Sequence, residues 1–118
     1  MLKNDYILTQ IEGLARAIAK IFFNKETVIY EVQEEESFTD ELYMKLRGMI
    51  DKGEINEAEN ILYEYMNTSD LRYLELVVDF YNRLNQLDET FLEEHDYGKD
   101  EILQGLKDVA SHYGVPLN

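Results

Sequence analysis

The sequence predicts an all-α fold of five to six helices. Three observations carry that expectation. Apolar residues recur at helical spacing over most of the chain. No short window alternates as a half-buried strand does. Turn residues are sparse, with one Pro and six Gly in 118 residues. The expected arrangement is one domain over residues 1–118. A long apolar N-terminal helix within residues 1–33 packs on an acidic helical body, residues 37–118.

Asn4 or Asp5 supplies the first cap, a short side-chain oxygen accepting an orphan N–H. Ile7, Ile11, Leu14, Ile18 and Ile21 then follow 4-3-4-3 spacing, with Leu8, Ala15 and Phe22 on a second stripe. Thr9, Glu12, Arg16 and Lys20 fall opposite, so the helix is amphipathic with a wide apolar arc. Gly13, Ala15, Ala17 and Ala19 are small enough to admit a close neighbour. The helix is expected to run on through Val28, Ile29 and Tyr30.

Ser37 or Thr39 is the next cap; from Ser37, Asp40 sits three residues on in place of the usual Glu of a capping box. Leu42, Leu46, Met49 and Ile50 form the inward face, and Lys52-Gly53 is the stop. A third helix from about Glu54 to Met66 turns Ala58, Ile61, Leu62 and Tyr65 inward. Asp70 caps a fourth, which carries Leu71, Leu74, Val77, Val78 and Tyr81 to about Asn85. Asp88 opens a short fifth with Phe91 and Leu92 inward, broken at His95-Asp96-Tyr97-Gly98. Lys99 or Asp100 opens the sixth, with Ile102, Leu103, Leu106, Val109 and Ala110 inward. Tyr113, Gly114 and then Pro116 end it.

The charge is acidic and uneven. Eleven Lys and Arg stand against 25 Asp and Glu, a net −14. Residues 1–30 carry +1, so residues 31–118 carry −15. A phosphate backbone repels such a surface, which argues against direct nucleic-acid binding. With no Cys, thiol catalysis, disulfides and Cys-ligated metal are excluded. No secretory leader or membrane span is legible at the N-terminus, so a cytoplasmic protein is expected.

Leu42 to Tyr65 resembles one tetratricopeptide-type helical hairpin, and the long N-terminal helix is expected to pack on that hairpin and on further antiparallel helices. Gly53 and Ala58 have the spacing of that family's turn residue and helix-contact Ala. Leu42 stands where the family has a bulky aromatic, and Leu46 where it has Gly. The repeat does not recur 34 residues on, where Leu87 and Leu92 stand. The whole chain is also similar to a family of short acidic proteins of unknown function from Firmicute bacteria. Asn4-Asp5-Tyr6-Ile7, residues 14–20, Asp79-Phe80-Tyr81, residues 91–95, Gly105-Leu106-Lys107-Asp108 and Tyr113-Gly114 carry that likeness. It implies a helical fold in a bacterial cytoplasm and supplies no activity.

Chemistry-bearing motifs are absent from the sequence. Calcium loops starting at Asp51 or Asp96 fail at their third positions, Gly53 and Gly98. His95 and His112 lack the Glu three residues before that a di-iron bundle needs. No phosphate-cradling glycine run or serine-nucleophile motif occurs. No catalytic residue, metal or cofactor is therefore expected. His95 reads as an exposed residue in a helix break. Tyr63 and Tyr65 lie about 200° apart on a helix, so one of them must face a surface or groove.

The expected function is a non-enzymatic protein-interaction or scaffold module. One form it can take is a homodimer through the first helix, with Ile7, Ile11, Leu14, Ile18, Ile21 and Phe22 as the self-association or partner face. A second surface, Glu57, Tyr63, Glu64, Glu75 and Asp79, would attract a basic protein partner. The alternatives are an acidic nucleic-acid mimic that binds a basic protein and, third, a small-molecule or metal-dependent enzyme. Membrane attachment is not expected, since anionic lipid repels the acidic body.

Overall fold

Helix α4 (Leu71–Asn85) lies at the centre of the molecule. Tyr73, Leu74, Leu76, Val77, Val78, Phe80, Tyr81 and Leu84 are all buried along it. An element apolar nearly all round needs neighbours on several sides. α1 (Lys3–Phe23) and α6 (Lys99–His112) pack on it and on each other, so the first helix lies mainly against these two and not on the Leu42–Tyr65 hairpin as expected, the apolar α4 standing between them. α2 (Phe38–Asp51) packs on it as well, and α3 (Ile55–Glu64) lies against α2. The short α5 (Glu89–Glu94) sets Leu92 into the core. This computed structural model describes residues 3–33 and 37–115, with side chains in the first stretch from residue 6. The expected caps Asn4 and Asp5, the acidic residues 34–36 and Pro116 thus lie outside the described side chains. Among the described residues there is no strand, so the all-α expectation holds.

Helix ends follow local chemistry. Asp40 N–H donates to Ser37 Oγ at 3.2 Å, and Ser37 N–H returns a bond to Asp40 Oδ2, also at 3.2 Å, completing the capping box. At the end of α2, Gly53 takes φ +81°, while Gly53 N–H donates to the Ile50 carbonyl and Glu54 N–H to that of Met49. Gly114 (φ +84°) closes α6 in the same way. Asp96 does so for α5 at φ +59°, a conformation Asp tolerates better than most residues.

α1 stops earlier than its periodicity predicts. Asn24 takes φ +55°, and residues 24–33 leave the helix as an extended strap. Along it Val28 and Tyr30 are buried and Ile29 is exposed. β-branched and aromatic residues suit this backbone. Tyr30 N–H finds Asp79 Oδ2 at 2.7 Å, Gln33 N–H finds Asp40 Oδ2 at 3.4 Å, and the Glu31 carbonyl accepts from Arg72 at 2.6 Å. These side chains supply the partners that a helix would have supplied itself.

The α2–α3 hairpin turns at Gly53 and packs Ala58 fully inside, as the spacing of those residues suggested. Tyr65, expected inward, is exposed instead, because α3 ends at Glu64 and Tyr65 falls at its C-cap. Gly13 also faces open space, so only Ala15 and Ala19 of the small residues on α1 sit at buried contacts.

Candidate functional site

An open cleft of about 270 Å³ lies between α3 and α6. α3 brings Glu59 and, one turn later, Tyr63 to its wall; α6 brings Glu101, Gln104, Gly105 and Asp108. The spacing 101, 104, 105, 108 places those four residues on one face of a helix. Behind the wall, Tyr81 of α4 donates to Glu59 Oε2 at 2.5 Å, and Tyr97 donates to the same oxygen at 3.0 Å. The Tyr63 hydroxyl lies 3.5 Å from that of Tyr81 and donates to the Gly105 carbonyl at 3.3 Å.

Gly105 is required by this packing. A Cβ there would sit 2.4 Å from Cζ of the fully buried Tyr81 ring. Burial pushes Tyr81 and Tyr97 far above the usual phenol range, with the Glu59 carboxylate adding to the rise. Tyr63 is raised too, again mainly by burial. All three stay neutral donors at physiological pH, and Tyr81 and Tyr97 hold Glu59 in one position. Gln104 donates to Asp108 Oδ1 at 2.9 Å, and Glu101 accepts from Gly98 N–H at 3.0 Å. Among the described residues, no Lys or Arg lines the cleft. It presents fixed acceptors and negative charge to solvent, which suits a cationic group. Among the described residues, no group of three or more His, Asp or Glu is disposed to hold a metal ion.

A family model described as a family of unknown function, DUF6483, matches residues 1–114. The chain belongs to that family. No curated protein and no solved structure matches it.

The DUF6483 fold separates the residues singled out in the sequence. On α1, Ile11 and Ile18 are fully buried within the chain, while Ile7, Leu14 and Phe22 are half-buried. Only Ile21 of that set is well exposed, at 59%. The wide apolar arc is thus largely covered by α4 and α6. Of the acidic set, Glu57 and Glu64 are exposed. Glu75 is half-buried and paired with Arg72 at 3.3 Å. Asp79 must be taken off the surface: it is only 5% exposed, bound to Tyr30 N–H and, at 3.1 Å, to Arg83. The strap needed an inward acceptor at that point, which helical spacing on α4 alone does not reveal.

Asp40 is a second buried carboxylate of the DUF6483 chain. Tyr30, Arg72, Ser37 and Gln33 all donate to it. The Tyr30 phenol holds its pKa below the usual carboxylate range, against the opposing effect of burial. Arg72 also stacks over the Tyr30 ring at 4.1 Å. This cluster fastens the strap. His95, expected to be exposed, is half-buried, with Nδ1 2.8 Å from the Phe91 carbonyl and its ring against Gly53.

The sequence reading missed Glu59, Glu101 and Asp108. Their signals were the i,i+4 pair Glu59–Tyr63 and the i,i+7 pair Glu101–Asp108 around Gly105.

Among the described residues, no helix is long and apolar enough to cross a membrane.

Proposed function

We propose that this DUF6483 chain is a non-enzymatic protein-interaction module that engages a basic protein partner. The α3–α6 cleft carries this reading. It is acidic, has no Lys or Arg among the described residues of its lining, and its central carboxylate is pinned by two buried phenols. Its volume suits one lysine or arginine side chain of a partner. A preorganised acceptor costs little further ordering on binding. The exposed Glu57 and Glu64 on the same helix extend the negative field and steer encounter.

Pairing through α1 has weaker support, because Ile11 and Ile18 are spent inside the chain. The likeness of the α2–α3 hairpin to a tetratricopeptide unit adds to an interaction role, since Gly53 and Ala58 take the turn and contact positions. The setting we assign is a bacterial cytoplasm, on the likeness to Firmicute proteins.

The test is affinity capture from source-cell lysate at low and high salt, with wild type and with the variant E59Q/E101Q/D108N. A basic protein retained at low salt, released at high salt and lost by the variant supports the reading. Retention equal in both forms, or no retained basic protein, contradicts it.

A further inference from the structure

A second exposed surface is built from the start of α2, the C-cap of α3 and the start of α4. Phe38 (57% exposed), Tyr65 (45%) and Leu71 (47%) are large apolar side chains left in solvent. They gather at one end of the bundle, where α2 begins, α3 ends and α4 begins. The Phe38 and Tyr65 rings meet edge to face at 5.0 Å. Arg72, next to Leu71, reaches Asp40, two residues after Phe38. Gln33 N–H reaches the same Asp40, which brings the exposed Val32 to the rim. Scattered apolar residues on a surface are ordinary, but a gathered set marks a contact.

The rim is acidic. Glu41 and Glu64, next in the chain to Asp40 and Tyr65, are exposed, as is Glu31, whose carbonyl accepts from Arg72. The nearby cation Arg72 is engaged by Asp40, Glu75 and the Tyr30 ring. Two copies meeting here would set these carboxylates against each other, in a chain already at −14. A helix with an apolar stripe flanked by Lys or Arg satisfies both features, its stripe on the aromatic pair and its cations on the rim. We infer that the Phe38–Tyr65–Leu71 patch docks the apolar face of a basic amphipathic helix from a partner protein. This rests on the reading of the chain as a module for a basic partner, but uses a different surface from the cleft.

The probe is a synthetic helical peptide with leucines at i, i+3 and i+7 and lysines elsewhere, followed by fluorescence anisotropy at low salt. The proteins are wild type, F38S/L71S, I21S as an exposed apolar control, and E59Q/E101Q/D108N. Circular dichroism checks that each is folded, which exposure of the substituted residues favours. The expected result is affinity about tenfold weaker or more in F38S/L71S and unchanged in I21S. Equal binding by F38S/L71S and wild type overturns the inference. So does a wild-type dimer in sedimentation that F38S/L71S dissolves, because the occupant is then a second copy. Loss confined to the cleft variant overturns the patch and leaves the cleft reading standing. No binding by any form overturns the patch, while lysate capture decides the cleft separately.

Discussion

The Tyr30 phenol donates to Asp40 Oδ1 at 2.5 Å, joining the strap after α1 to the first turn of α2. The same carboxylate closes the capping box of α2 and receives Arg72 from α4. One buried anion therefore ties three parts of the chain together. Its neighbours make it more acidic than a free carboxylate, and the phenol is the main cause. A carboxylate of lowered pKa stabilises the fold fully above its unfolded value of about 4. That contribution disappears as pH falls through the lower, folded value.

Tyr30→Phe removes the main cause of the lowering and so raises the pKa of Asp40 in the fold. We predict that acid unfolding of Y30F, followed by circular dichroism, begins at higher pH than in wild type. Coincident acid transitions would contradict the assignment.

Alkali acts with the opposite sign on the tyrosines. Tyr30, Tyr63, Tyr73, Tyr81, Tyr97 and Tyr113 are all raised, mainly by burial. Tyr113, whose hydroxyl donates to the Asn67 carbonyl at 2.6 Å, is pushed up to about 12. Stabilisation from such a group is complete below the free phenol value of about 10 and is lost as pH rises through the folded value. The expected titration shows phenolate absorbance for these six growing in above the free-tyrosine range, together with loss of helix. Ionisation of all nine tyrosines at the free value, with helix intact, is the opposing result.

Two glycines on helices should respond in opposite directions to alanine. At Gly105 the added Cβ meets the Tyr81 ring, which is locked by burial and by Glu59. G105A should lose about 1–3 kcal/mol, the usual cost of overpacking. Gly13 faces open space inside α1, so G13A should gain about 0.5–1 kcal/mol from helix propensity. Urea denaturation measures both. A neutral G105A would mean that the α4–α6 contact is looser than the packing around Tyr81 indicates.

Gly53 combines two constraints, a positive φ and the His95 ring, whose Cδ2 would lie 2.2 Å from an added Cβ. G53A should lose about 1–2 kcal/mol for the left-handed backbone alone, and more for the ring. His95→Ala removes only the ring. The double variant should therefore recover part of the loss and keep the backbone part, a coupling that a double-mutant cycle reads directly.

The helices, the capping box at Ser37 and Asp40, and the glycine stops at Gly53 and Gly114 were legible because each depends on residues close in sequence. The early end of α1 was not. Val28, Ile29 and Tyr30 continue a helical rhythm, and what draws them out is Asp79, 49 residues from Tyr30. The cleft was hidden for the same reason. Glu59, Tyr81 and Tyr97 come from α3, α4 and the α5–α6 connection, and only tertiary packing brings them to one carboxylate oxygen. The acidic imbalance itself was plain from composition. Which carboxylates face solvent and which fasten the fold was not, as Asp40 and Asp79 demonstrate.

The most direct measurement is zero-length carbodiimide coupling of the captured complex, which joins a carboxylate to a lysine in contact with it, followed by mapping of the linked residues. The interaction reading predicts links from Glu59, Glu101 or Asp108 to lysines of a basic partner, abolished in E59Q/E101Q/D108N. Links confined to carboxylates outside the cleft, unchanged in that variant, would contradict it.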